Sequence, residues 1–247
     1  MSQKIKSVLY STLPFIFWIG LWELSSQLIN SEFLIPGIIP TAKALWILLG
    51  ESEFYVAISF SLLRVLIGLT LGVALGVFVA VISYKFKPVR KIFTPAVSVI
   101  KSTPVASFIV ILWIMMSGDS LAIFVSFLMV FPIVWQNTIN SFAAVDPQLL
   151  EVSSIYGFSN SKKIRLVYFP ILLKFLIPAI ITSVGLAWKS EIAAEIIAYT
   201  SRSIGYLINE SKTLFDTPKI FALTLVIIIF SVILEFVVKK LLGRIKI

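Results

Sequence analysis

Residues 146–170, DPQLLEVSSIYGFSNSKKIRLVYFP, break a chain that is otherwise mostly apolar, and they have an internal grammar. Asp146 followed by Pro147 reads as a helix start. The aspartate can accept from a free amide of the first turn, and proline at the first helical position removes a donor that would go unpaired anyway. QLLEVSSIY continues as one short helix, which Gly157 can end because glycine adopts the left-handed conformation readily. Ser159, Asn160 or Ser161 can then cap a second helix, KKIRLVYF, running into Pro170. The spacing predicts a helix-turn-helix knob, since a simple hairpin connection would be shorter.

Working outward, hydrophobic residues make up 59% of the 247 and charged residues 13%, against about 45–50% and about 25% in an ordinary soluble domain. This composition is that of a membrane protein. Six stretches reach the roughly 20 apolar residues that a helix needs to cross a bilayer: near 8–29, 60–83, 93–116, 120–141, 170–190 and 220–238. The first lies behind Lys4 and Lys6, as a signal peptide would. It runs on without a small-x-small cleavage site, so it reads as a retained span. In alternate loops, fourteen Lys and Arg fall on one side and four on the other. Basic residues collect on the cytoplasmic side, so both termini and the 142–170 loop are expected there. The net charge of +9 is thereby explained without nucleic acid, for which no basic stripe interleaved with aromatics exists outside the spans. The whole of 1–247 reads as a single all-α membrane domain.

Several spans carry local signals. Thr41 can cap a short interfacial helix after Pro36, Gly37 and Pro40. Gly68, Gly72 and Gly76 share one helical face and let a neighbouring backbone approach. Ser102, Thr103 and Pro104 predict a broken or kinked third span, since proline removes a backbone donor. Gly118 and Asp119 make an external turn. Trp18, Trp22, Trp46, Trp113 and Trp188 read as an interfacial belt, and Glu23 and Glu235 as span-end residues reaching the interface. His and Cys are both absent, which removes imidazole bases, thiol nucleophiles and every metal site built on them. No metal site is expected.

The knob resembles the signature of permease subunits of binding-protein-dependent ABC importers. Their EAA loop reads Glu-Ala-Ala, three residues, Gly, nine residues, Ile, two residues, Pro; here Glu151, Val152, Ser153, Gly157, Val167 and Pro170 hold those positions. Val152, Ser153 and Val167 depart from the family residues. PGIIPTAKALW, SLLRVLIG, the GDS turn, VDPQLLE and Glu195 followed by SIGYL extend the likeness to the nitrate, sulfonate, taurine and bicarbonate type, with Ser203 where that type has glycine. The resemblance implies a type I importer permease fold with six transmembrane helices and a cytoplasmic coupling loop, in a bacterial or archaeal cytoplasmic membrane. It implies a second permease copy as partner, two ABC ATPases that engage the loop, and an extracellular or periplasmic substrate-binding protein. Glu151 is expected to contact the ATPase and Gly157 to set the angle between the short helices. Permitted cargoes are small oxyanions, alkyl sulfonates, or vitamin and pyrimidine precursors. The chain carries no G-x-x-x-x-G-K-[ST] loop, so it needs no cofactor of its own and ATP belongs to the partner.

Ionisable groups at membrane depth are costly and mark packing or a pathway. Arg64, Lys101, Lys189, Glu191 and Glu195 qualify. Glu191 and Glu195 share a helix face, so one of them is expected to be neutralised by Arg64 or Lys101 across helices. Alternatively, Lys101 with Ser102 and Thr103, or Lys189, attracts an anionic substrate. Two rival readings are an ion-gradient-driven secondary transporter using the membrane carboxylates and a membrane-embedded enzyme. The first leaves the knob unexplained and lacks an internal repeat. The second lacks His, Cys and clustered interfacial carboxylates.

Overall fold

The computed structural model describes residues 3–244, with side chains from residue 12 onward. The side chains of Lys4 and Lys6, and Lys246 altogether, lie outside the described residues. The chain runs through α1 (Gln3–Ile29), α2 (Ile38–Leu48), α3 (Ser52–Lys85), α4 (Lys87–Ser102), α5 (Val105–Met115), α6 (Asp119–Ala143) and α7 (Pro147–Ile155). It continues through α8 (Asn160–Lys163), a π-turn (Ile164–Tyr168), α9 (Phe169–Ala198), α10 (Ile204–Thr213) and α11 (Thr217–Leu242). No strand occurs among the described residues. Among the described residues, four helical runs are long and apolar enough to cross a bilayer: α3, α6, the run from α8 through α9, and α11. α4 and α5 pass the same test only together, and a bend of 108° between them gives the pair the geometry of a broken span or a re-entrant loop. The break falls at Thr103 and Pro104, whose extended backbone ends one helix and starts the next.

The helices group into two compact units: the described parts of Met1–Val56 with Leu207–Ile228, and of Ala57–Tyr206 with Ile229–Ile247. In the first, α2 begins at Ile38 with Gly37 as its cap, four residues before the expected Thr41. Thr41 instead donates its hydroxyl to the Gly37 carbonyl at 2.9 Å. The orphan amide of Ile38 donates to the Glu23 carboxylate at 2.9 Å, so Glu23 caps this helix. At Gly37 a side chain would press on that carboxylate at 3.2 Å. The start of α11 is fixed in the same unit by Asp216, which accepts from the Lys219 amide, and by a Lys219–Glu51 ion pair at 3.2 Å.

In the second unit α6 is the central element, buried along most of its length. The glycine stripe of α3 packs on it. Added Cβ atoms at Gly72 and Gly76 would lie 2.6 Å from Val130 and 2.8 Å from Val134, and one at Gly68 would land on Ser126. Trp135 is buried in the same seam and donates to the Ser83 hydroxyl at 3.2 Å. Trp188, expected in the interfacial belt, is fully buried and packs on Phe230, because the second half of α9, from Ser183 to Glu195, is buried on several of its faces. Glu235 is exposed, its carboxylate laid over Gly185, where only hydrogen leaves room. The second short helix does not stop at Pro170. The π-turn ahead of it widens the spiral, the accommodation that a missing proline N–H and its ring call for, and the helix continues as α9.

Candidate functional site

The segment between α6 and α9 folds as the sequence spells it. The Asp146 carboxylate accepts from the Gln148 amide at 2.8 Å and Pro147 opens α7. Gly157 sits at φ +65°, the Phe158 amide donates to the Ser153 carbonyl at 2.9 Å, and the Gly157 amide to the Ser154 carbonyl at 3.0 Å. This pair of bonds is the Schellman ending of a helix. Ser159 caps α8 by accepting from the Lys162 amide, and Lys163 donates to the Ser154 hydroxyl at 3.0 Å, tying the two short helices together. Lys162 lies over the Phe158 ring at 4.3 Å.

The six signature positions divide by direction. Ser153 and Val167 are buried and Pro170 is half-buried, so they fasten the knob. Glu151, Val152 and Gly157 face out. Leu149, Val152 and Ile155, spaced by three, leave an apolar face uncovered on α7, with Ile155 81% and Tyr156 75% exposed. A contiguous apolar patch on a short polar segment marks a protein contact. Leu149, Ile155 and Tyr156 belong to this face although the motif does not include them; with Val152, Leu149 and Ile155 form an i, i+3, i+6 series, the signal that reveals the face, and Tyr156 follows at i+7.

The span charges separate into a buried cluster and two exposed lysines. Arg64, 3% exposed, donates to Glu195 at 2.6 Å and, through two nitrogens, to Asp119 at 2.9 and 2.7 Å. It also reaches the carbonyls of Ser201 and Arg202. Glu195 accepts in addition from the Ser61 hydroxyl at 2.8 Å and the Gly205 amide at 3.2 Å. Gly205 is required there, since a side chain would collide with the Glu195 backbone. Ser203 is no obstacle to the turn: its hydroxyl accepts from the Tyr206 amide at 2.9 Å and caps α10. The expected cross-helix pair is thus Arg64 with Glu195. Asp119, read from sequence only as a turn, is the second partner. Glu191 is fully buried one turn before Glu195, yet Arg64 gives its hydrogen bonds to Glu195 and Asp119 and none to Glu191. Lys101 and Lys189 are exposed and form no ion pair among the described residues. No group of three or more metal-ligating side chains occurs among those residues.

An all-helical unit with apolar spans, a capped helix-turn-helix between α6 and α9 and a broken helix pair are the features of a transport subunit. Residues 72–247 match the family described as binding-protein-dependent transport system inner membrane component, and the chain belongs to it. The chain is 26% identical over 218 residues to a Bacillus subtilis permease protein named for aliphatic sulfonates transport, SsuC, covering 87% of this chain and 77% of that one. It is 25% identical over 241 residues to the formylaminopyrimidine transport permease protein ThiX of Halalkalibacterium halodurans, covering 97% and 95%. Among solved structures, a bacterial ABC transporter involved in import of the acidic polysaccharide alginate shares the fold with a TM-score of 0.64 at 15% identity, over 99% of this chain and 98% of that one. The protein is therefore a permease of an ABC importer. It is a multi-pass membrane subunit that carries transport rather than catalysis, and the gradient-driven alternative is set aside.

Proposed function

We propose that this permease works as a homodimer whose two knobs, on the cytoplasmic side, each dock in one ATPase, and that a binding protein delivers a small solute to the opposite face. The observation that carries this reading is the outward apolar face of α7 beside Glu151, on a knob that two caps and a Schellman turn make rigid. A rigid lever transmits the closing of two ATPases into the spans, whereas a floppy loop would absorb it. The fastening residues Ser153 and Val167 pass the motion to α9, with which the knob is helically continuous. ATP is held by the partner, and both termini lie with the knob on the basic side.

The test is purification of the tagged chain from its native membrane, with mass identification of what comes with it and hydrolysis measured with and without the binding protein. Recovery of a Walker-type ATPase stimulated by the binding protein is the expected outcome. Recovery of the chain alone, with uptake indifferent to ATP, would overturn the reading.

A further inference from the structure

The broken helix pair leaves a cavity of about 290 Å³ in the second unit, lined by Lys101 and Thr103 at the break, Leu128, Met129 and Pro132 of α6, and Leu186 of α9. Its depth follows from the helix that floors it. Pro132 stands thirteen residues from the start of α6 and eleven from its end, halfway along a crossing helix. Interrupted helices at mid-depth are where transporters build solute sites, because only there can non-helical backbone and its unpaired groups face something other than lipid.

The charge at the site is unbalanced. Lys101 makes neither ion pair nor hydrogen bond among the described residues, and no carboxylate lines the cavity. The amide of Val105, a lining residue, has no hydrogen bond among the described residues, as befits the first turn of α5, where the Ser107 amide bonds to the Pro104 carbonyl. Lys189 is a second exposed and unpaired cation, one turn beyond Leu186 on the same face of α9. The remaining wall is hydrocarbon. An ammonium held at this depth against an aliphatic surface complements a ligand with one acid group on a short apolar body.

Resting on the importer reading above, we propose that this cavity is a transit site for a small organic anion, with its acid group on Lys101, its alkyl part along Leu128, Met129 and Leu186, and Lys189 as a neighbouring contact. The test uses the complete permease–ATPase complex in nanodiscs, with butanesulfonate as probe and butanesulfonamide as its uncharged counterpart, read by equilibrium dialysis. Butanesulfonate is expected to bind and the sulfonamide not, methanesulfonate to bind more weakly than butanesulfonate, Lys101→Gln to weaken binding about tenfold or more, and Lys101→Arg to preserve it. Equal binding of acid and sulfonamide, no binding of butanesulfonate, or no effect of Lys101→Gln would overturn the proposal. Should Lys101→Gln fail to assemble, Leu128→Trp fills the apolar end while keeping the charge and must abolish binding; retained binding would overturn it too. Failure of the importer reading would show separately, as a wild-type chain that recovers no ATPase.

Discussion

Arg64 holds together four parts of the second unit: its own helix, the start of α6, the end of α9 and the loop carbonyls at Ser201 and Arg202. Removing one partner of a buried ion pair typically costs about 3–5 kcal/mol, because the other charge stays buried without compensation. Arg64→Ala is accordingly expected to lower the thermal unfolding midpoint sharply, and adding Glu195→Gln to recover part of the loss. A double-mutant cycle with additive effects would refute the coupling. Glu191 and Glu195 offer a sharper contrast, being one turn apart and equally buried. Glu195→Gln forfeits the bond to Arg64 and should destabilise. Glu191→Gln forfeits no bond to Arg64 and is expected to be neutral or stabilising in the same melt.

At the scale of the element, the α3–α6 seam depends on three residues without side chains. An added Cβ at Gly72 would stand 2.6 Å from that of Val130, closer than carbon atoms pack. Gly72→Val should reduce the yield of monodisperse protein severely, and Val130→Ala should partly restore it; absence of rescue would show that the damage lies elsewhere. In the knob, Gly157 has open space where a side chain would go but a φ of +65°. The penalty for another residue is therefore conformational, about 1–2 kcal/mol, and smaller for Asn. Gly157→Asn is expected to keep ATP-driven uptake and Gly157→Val to impair it with the chain still folded. Uptake unchanged in Gly157→Val would remove the turn from the coupling device.

For the whole molecule, the testable property is its sidedness. The chain contains no cysteine, so a single introduced thiol reports one position without background. Phe158→Cys, in the knob, should resist a membrane-impermeant maleimide in intact cells and react once they are opened. Ser117→Cys, in the turn before α6, should react in intact cells. The reverse pattern would invert the topology and with it the assignment of the knob to the ATPase side.

The class of the protein, most of its helices and the capped helix-turn-helix are legible in the sequence alone. Those features are local: twenty apolar residues suffice for a span, and Asp146-Pro147, Gly157 and Ser159 write helix ends by hydrogen bonds reaching two to five residues. The motif positions were legible for the same reason. Only the tertiary structure decided which charges meet. Arg64 had four acidic or basic candidates to pair with or avoid, and its choice of Glu195 and Asp119 spans 131 and 55 residues. The same holds for Trp188, for Glu23 and for the cavity at Lys101. Burial, pairing and open space depend on neighbours that arrive from distant parts of the chain, and spacing along one helix carries no record of them.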